Sequence, residues 1–222
     1  PRVYWEWTSE RLNVQECLQG VAGNDLDAVD AAGLDRAQLA ATGAGIVLKM
    51  VLEDGFFHAD PHPGNIFYLP DGRIGVIDFG MVGRVSEQRR FQIVQLLHGL
   101  VERESAPVAD VLMEWGEGGG EVDEARLQAD VGAFVDQYRG VPLKDLHMGL
   151  MLTDVTTILR DNGLSLPPDL ALMIKAFLTL EGMGRQLDPD FDMAGAARPF
   201  LQRVVLQRYS PRTLLKRSRR TA

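Results

Sequence analysis

The sequence predicts a mainly helical α+β fold in which one short β-hairpin is followed by a series of helices. Residues 66–77 have a strand–turn–strand pattern, and the stretches before Gly55 and after Ser86 have apolar residues at helical spacing. The chain has 222 residues, 45% of them hydrophobic, which is enough to bury a sizeable core.

The segment before the hairpin is predicted to contain two short strands and one long helix. Residues 3–5 and 12–15 have strand patterns joined by a polar turn, and the pattern breaks at residues 20–24. From Leu34 onward, apolar residues recur at helical spacing. A glycine commonly follows the last turn of a helix, so this helix is predicted to end at Gly55.

The hairpin is predicted from its turn as much as from its strands. Pro70 fixes its own φ angle and Gly72 adopts positive φ readily, so these two residues, separated by Asp71, favour a tight turn. The flanking strands are predicted over residues 66–69 and 74–77. Their pairing would bring the residues just before the first strand next to those just after the second.

The remainder of the chain is predicted to be helical. Ser86 is a suitable N-cap, and Pro168 suits the start of a helix. Further helices are predicted over residues 123–138, 144–162, 168–187 and 193–208. The glycine-rich stretch 116–120 is predicted to be a flexible linker, because a phosphate-binding loop would follow a strand and precede Lys-Ser or Lys-Thr.

Charge is distributed unevenly along the chain. The net charge is −8, but the residues after Asp192 include eight basic and no acidic groups, so the rest has a balance of −16. Such an acidic body is a poor general binder of nucleic acid, because it repels the phosphate backbone. The basic end is a candidate surface for anionic lipid, with a solvated helix end as the alternative. Its residues are Arg203, Arg208, Arg212, Lys216, Arg217, Arg219 and Arg220.

Cysteine content and hydropathy argue against a disulfide-bonded protein and against a membrane-spanning segment within this sequence. The single cysteine, Cys17, excludes an internal disulfide and fits a reducing compartment. No apolar run approaches the roughly 18 residues of a membrane span. Because the chain begins with Pro1 and no signal peptide follows, we expect it to be part of a longer protein.

The residues that indicate chemistry lie in the loop before the hairpin and directly after it. Asp60 and Asn65 form an Asp-x-x-x-x-Asn loop, and Asp78 opens an Asp-Phe-Gly sequence thirteen residues after Asn65. In this order and around a hairpin, they have the arrangement of protein kinases. Mg²⁺ prefers few, hard oxygen ligands, which Asn65 and Asp78 supply. Asp60 can orient or accept the proton of an acceptor hydroxyl.

Two histidines flank Asp60. His58 is interpreted mainly as a brace for the loop backbone, with proton transfer as the alternative. His62 lies between two prolines and can contact phosphate or substrate, or pack within the loop. The four histidines and the single cysteine do not have the spacing of a zinc site.

At these residues the chain resembles the AarF/UbiB family of atypical kinases, which is linked to ubiquinone biosynthesis. The resemblance rests on Gly-Phe-Phe-His-Ala-Asp-Pro-His-Pro-Gly-Asn at 55–65, on Ile-Asp-Phe-Gly-Met-Val-Gly at 77–83, and on distal runs within 166–189. It implies a protein-kinase-like fold, of which this chain is the C-terminal lobe, and the use of ATP and Mg²⁺.

The resemblance also assigns roles to single residues. Asp60 matches the catalytic residue, and Asn65 and Asp78 match the metal ligands. The residues expected at the nucleotide are Glu16 and Leu18 in a hinge-like segment, and Phe67 and Ile77 in the hairpin. Family members often have a methionine and an aromatic residue where this chain has Gln15 and Cys17.

The resemblance further implies how the chain is divided. Residues 1–104 are expected to form the kinase-like catalytic core, residues 105–208 a family-specific helical region, and residues 209–222 a basic tail. The family's N-terminal lobe with its Lys-x-Gly-Gln motif, and its C-terminal membrane helices, do not occur in this sequence. We therefore expect a chain cut at both ends, which alone binds ATP weakly and does not turn it over.

Three functions stay open from the sequence. The first is an atypical kinase or ATPase that supports isoprenoid-quinone synthesis or membrane lipid metabolism. The second is a small-molecule phosphotransferase of the aminoglycoside or choline kinase type, and the third is a non-catalytic nucleotide-binding scaffold. Only five residues separate Gly80 from Ser86, which favours a lipid or small-molecule acceptor, or bare ATP hydrolysis, over a protein substrate.

The expected partners follow from these functions. They are ATP, a lipid or small-molecule acceptor, and a membrane surface contacted by the basic tail; nucleic acid is not expected, and a homodimer is left open. The full-length protein is expected at the cytoplasmic face of the cell membrane, and this chain by itself is expected to be soluble.

Overall fold

The structure, a computed structural model, describes residues 1–116 and 122–208. The helices are α1 (Leu26–Ala31), α2 (Arg36–Lys49), α3 (Glu87–Glu102), α4 (Ser105–Gly116), α5 (Glu124–Gln137), α6 (Met148–Asp161), α7 (Pro168–Leu187) and α8 (Met193–Arg208). The strands are β1 (Val21–Ala22), β2 (Phe56–His58), β3 (Ile66–Tyr68), β4 (Ile74–Val76) and β5 (Val82–Arg84). The predicted fold class, mainly helical with small antiparallel sheets, is confirmed.

Two small antiparallel sheets surround the predicted loop. Strands β3 and β4 form the predicted hairpin, with Phe67 opposite Gly75, and β1 extends it to three strands on the β3 side. Gly72 has φ of +79° in the turn between them, as predicted. Strand β2 pairs with β5, so the residues just before the loop are bonded to those just after Asp-Phe-Gly.

The prediction of two short strands near the N-terminus was wrong. Residues Trp5–Trp7 form a 3₁₀ turn, and only isolated bridges, such as Val3 with Gln15, join the two arms. The physical reason is the Thr8 hydroxyl, which donates to the carbonyl of Tyr4 and accepts the N–H of Val14. A side chain thereby takes backbone partners that a strand ladder would need.

The helical stretch before the hairpin is divided by local capping. Helix α1, which the sequence analysis did not predict, begins after Asp25, whose carboxylate accepts the N–H of Ala28. Helix α2 begins after Asp35, which caps it through Gln38. Its last turn widens into a π-helical turn, Met50–Asp54, and ends at Gly55 with φ of +67°, as predicted.

Helix α7 connects the first half of the chain to the second. It packs on α2, β5 and α6, and the side chain of its residue Phe177 is fully buried. Pro168 stands in its first turn, as predicted. Helix α8 packs on α2 and α3. Its Arg198 donates from Nε and Nη2 to the two carboxylate oxygens of Glu102, each at 2.9 Å.

The remaining helix predictions agree with the structure to within a few residues. Helices α5 and α6 lie inside the predicted ranges, and α7 and α8 match theirs. Most of the predicted linker 116–120 and the whole basic tail 209–222 lie outside the described residues. Within the ranges that are described, no helix is both long and apolar enough to cross a membrane.

Candidate active site

The buried ring of His58 ties the loop to the hairpin. Its Nδ1 accepts the backbone N–H of Asp60 at 3.1 Å, and its Nε2 lies 3.1 Å from the carbonyl oxygen of Ile77. An Nδ1 that accepts requires the proton on Nε2, so Nε2–H donates to Ile77. Both ring nitrogens are therefore occupied, which agrees with the bracing role predicted for His58 and opposes proton transfer by it.

Asn65 is held in a fixed orientation at the start of the hairpin. The residue is only 6% exposed, its carbonyl accepts the N–H of Ile77 at 2.9 Å, and its amide Nδ2 donates to the carbonyl of Asp60 at 3.3 Å. The amide oxygen accepts no hydrogen bond from any residue that the structure describes. This leaves a hard oxygen donor of the type that Mg²⁺ binds.

Asp78 directly follows Ile77, which lies opposite Asn65 in the hairpin register. Its backbone has φ of +55°, a conformation that is uncommon outside glycine, and Oδ1 accepts the N–H of Gly80 at 3.2 Å. Its other oxygen, Oδ2, has no hydrogen bond to the part of the chain that the structure describes. Asp78 and Asn65 therefore each keep one free oxygen on adjoining ends of the hairpin.

The amide oxygen of Asn65 and the carboxylate of Asp78 fit a cation whose remaining ligands are phosphate oxygens and water. Among the described residues no group of three or more His, Cys, Asp or Glu side chains is assembled to hold a metal. Two protein oxygens are too few for a Ca²⁺ or zinc cage, but Mg²⁺ at nucleotide sites uses one or two carboxylates together with phosphates and water.

The carboxylate of Asp60 is bonded from outside its own loop. Its Oδ1 lies 2.7 Å from Nζ of Lys175 in α7, and its Oδ2 lies 3.9 Å from Nε2 of His62. The hydrogen bond from Lys175 is the largest cause of a lowered pKa of Asp60, and the positive charge of Lys175 adds to it. Asp60 is thus ionised at neutral pH and a weak base, suited to orienting a hydroxyl or water.

One face of the three-stranded sheet contains predicted nucleotide residues. Phe67 lies opposite Gly75, and Ile77 follows two positions later, so all three share the face away from α2. An added Cβ at Gly75 would lie 2.4 Å from Cδ1 of Leu18, so a side chain at this position would displace Leu18 from the face. Leu18, Phe67 and Ile77 are accordingly brought to one half-buried apolar face.

Glu16 is only partly available at this face. Its N–H donates to the carbonyl of Arg2 at 2.8 Å and its carboxylate accepts the N–H of Arg2 at 3.0 Å, while its own carbonyl has no partner among the described residues. Glu16 and Leu18 also line an open depression with the turn at 69–73, which Phe67 and Ile77 do not line. The four predicted residues therefore do not share one cavity in this structure.

Comparison with known proteins identifies the arrangement. Residues 1–112, half of the chain, match the ABC1 atypical kinase-like domain. The chain belongs to the ABC1 atypical kinase-like family. Residues 131–192 match the UbiB helical domain. The division of the chain at residue 104 stays a prediction.

Curated relatives of the family are similar over almost the entire chain. A "Probable protein kinase UbiB" of Xanthomonas axonopodis pv. citri is 34% identical over 97% of this chain and 40% of its own length. A protein of the same name from Xylella fastidiosa is 33% identical over the same shares. A Synechocystis protein is 34% identical over 92% of this chain and 35% of its own length. The chain thus spans about 40% of the length of the relatives it matches.

Lys175 is the residue at this site that the sequence analysis missed. It belongs to the stretch that matches the UbiB helical domain, whereas Asp60 belongs to the ABC1 kinase-like domain, 115 residues earlier. The only local signal was a single lysine within the apolar stretch 170–180. No spacing rule connects such a lysine to a loop so distant in the sequence.

Proposed function

We propose that this chain provides the catalytic lobe of an ATP-dependent phosphotransferase or ATPase. The observation that supports the proposal most strongly is the bonding around His58, which fixes Asp60 and the strand that leads to Asp78 relative to each other. Asn65 and Asp78 would hold the Mg²⁺ that accompanies ATP and neutralises its phosphates. Asp60 would orient the acceptor hydroxyl or water through Oδ2.

The nucleotide base is proposed to lie on the half-buried face of the three-stranded sheet. Leu18, Phe67 and Ile77 would contact the adenine ring, and the free carbonyl of Glu16 would accept from its amino group. This placement puts the base at one end of the hairpin strands and the phosphates at Asn65 and Asp78.

A lipid or small-molecule acceptor is favoured over a protein. Three of the five residues between Gly80 and Ser86 form β5, which is paired with β2, and Ser86 then caps α3. No long segment is left to dock a peptide. Phe79 and Met81, which are 49% and 43% exposed, lie beside the loop, and they would suit an apolar acceptor.

The family assignment favours support of isoprenoid-quinone synthesis over an aminoglycoside or choline kinase activity.

Membrane association is a further proposal, and it depends on the residues after α8. Arg198 and Arg203 are paired with Glu102 and Glu53, so they are less available to lipid than the sequence suggested. Vesicle co-sedimentation of the protein with and without the residues after Arg208 tests the tail. Loss of binding to anionic vesicles on truncation is expected, and equal binding to neutral vesicles would contradict the proposal.

The test of the proposed function compares the two ends of one hairpin. The full-length protein here means this chain with whatever sequence flanks it. In that protein, Asp78→Asn should lower ATP turnover about a hundredfold or more, because the Mg²⁺ that accompanies ATP loses its charged protein ligand. Asp71→Asn is the matched control, since Asp71 is an exposed aspartate in the hairpin turn that is paired with Arg73. Turnover by Asp78→Asn close to that of Asp71→Asn, with both variants folded, would contradict the metal assignment.

A further inference from the structure

The catalytic loop has no basic side chain of its own to meet a phosphate. From Phe56 to Gly83 the only Lys or Arg is Arg73, which lies in the hairpin turn at the opposite end from Asn65 and Asp78. Phosphoryl transfer spreads negative charge over the oxygens of the transferred group, and its catalysis depends largely on neutralising that charge. Apart from the proposed Mg²⁺, a lysine or arginine near Asp60 therefore has to come from outside residues 56–83.

Lys175 brings such a cation from α7. Its Nζ lies 2.7 Å from Oδ1 of Asp60, and the ammonium group has three N–H donors, of which this ion pair uses one. Within the described part of the chain Lys175 has no second acidic partner. Two donors are therefore available to a ligand that approaches Asp60.

The position of Lys175 is fixed by the helix that carries it. The residues on either side of it are buried against the core, while Lys175 itself is half exposed on the outer stripe of α7. These neighbours are Met173, Ile174, Ala176 and Phe177. The backbone of Lys175 is thus held by tertiary packing rather than by a surface loop, as preorganised electrostatic catalysis requires.

Stability alone is a weak explanation for the contact. The side chains of Lys175 and Asp60 are 50% and 31% exposed, and ion pairs of this kind contribute about 0–1 kcal/mol. A comparable pair, Lys49 with Asp54 at 2.7 Å, is formed at the end of α2 and provides a reference for what such a contact does by itself.

We propose that Lys175 is a catalytic residue which pairs with Asp60 in the absence of nucleotide and donates its free ammonium hydrogens to the transferred phosphoryl group of ATP. This inference rests on the proposed function. The helical domain would then complete the active site of the kinase-like domain, in addition to covering its core. No proton transfer by Lys175 is involved, since its role is to neutralise charge.

The proposal predicts a defect that depends on the third phosphate. In the full-length protein, Lys175→Met should lower kcat about tenfold to a hundredfold. Binding of a non-hydrolysable Mg·ATP analogue should weaken about fivefold. Binding of Mg·ADP, which lacks the transferred group, should stay within about twofold of wild type. Lys175→Arg keeps a cation and should recover part of kcat.

Three results would separate this proposal from the function on which it rests. Lys49→Met is the matched control and should behave as wild type. If wild type turns over ATP and Asp78→Asn does not, yet Lys175→Met behaves like Lys49→Met, the role of Lys175 is wrong and the proposed function stands. If wild type has no Mg²⁺-dependent turnover, both fail. Equal weakening for the ATP analogue and for ADP would mean that Lys175 is merely structural.

Discussion

The loop and hairpin at residues 56–85, called here the catalytic segment, and helix α7 are held in place by different forces. In the catalytic segment the decisive contacts are polar and local, and the bond from His58 to Ile77 spans only nineteen residues. Helix α7 is held by apolar burial, with side chains such as Phe177 fully enclosed. Changes in the catalytic segment should therefore affect chemistry more than stability, whereas changes in α7 should do the reverse, except at Lys175.

The largest expected effect on stability is in α7. Phe177→Ala removes a fully buried ring and should lower the free energy of unfolding by about 3–5 kcal/mol, because it leaves a cavity. Urea denaturation of the two proteins measures the difference. The control is Leu150→Ala in α6, whose side chain is 54% exposed and which should change stability by less than about 1 kcal/mol. Similar small losses in both variants would refute the account of how α7 is held.

Replacing His58 is expected to cost less stability than Phe177→Ala but to lower activity more. His58→Phe keeps a buried ring but leaves the N–H of Asp60 and the carbonyl of Ile77 without partners, which should cost about 2–3 kcal/mol. Turnover should fall at least about tenfold, because Asp60 is no longer held. The variant is compared with wild type by thermal unfolding and by an ATPase assay. Normal turnover would mean that the His58 bonds do not position the site.

A still smaller effect is expected at Glu181, whose buried carboxylate lies in the contact between α6 and α7. It accepts the N–H of Gly149 at 2.7 Å, at the start of α6, and lies 3.4 Å from Arg185. Glu181→Gln can keep the first bond but loses the charge, so the free energy of unfolding should fall by about 1 kcal/mol. Chemical denaturation measures the loss, with Glu10→Gln as the control, because Glu10 is exposed and lies outside the helices. An increase in stability would contradict the pairing.

The smallest effect is a pH dependence confined to alkaline solution. Burial, and the bond to Asp154 at 2.8 Å, raise the pKa of Tyr138 to about 12. The neutral phenol therefore stabilises the fold below its ordinary pKa near 10, and this contribution is lost as the pH rises towards about 12. Absorbance titration of tyrosinate should detect the shift, and Asp154→Asn should reduce it. An unchanged titration in that variant would exclude Asp154 as a cause.

The catalytic segment could be predicted from the sequence because its contacts are local. The turn at Gly72, the strands around it and the order of Asp60, Asn65 and Asp78 are all encoded within about twenty residues, where backbone preference and motif spacing act directly. Helix boundaries followed from apolar periodicity and from caps such as Ser86.

The N-terminal arms and the contact at Asp60 could not be predicted, for different physical reasons. The N-terminal arms near Thr8 are set by a single hydroxyl that competes with backbone pairing, and strand propensity does not register such a bond. The contact from Lys175 to Asp60 depends on how α7 packs across the chain, so it is a tertiary property. A lysine on an exposed helical stripe looks the same in sequence whether it faces water or an active site.

The most direct test of the central claim is the effect of Mg²⁺ on nucleotide binding. The affinity of the full-length protein for a non-hydrolysable ATP analogue is measured by calorimetry with Mg²⁺ and with a chelator. Wild type should bind about tenfold more tightly with Mg²⁺. Asp78→Asn and Asn65→Ala should each lose most of that gain while still binding the analogue in its absence. A full Mg²⁺-dependent gain in Asp78→Asn would contradict the claim that this hairpin end holds the metal-bound nucleotide.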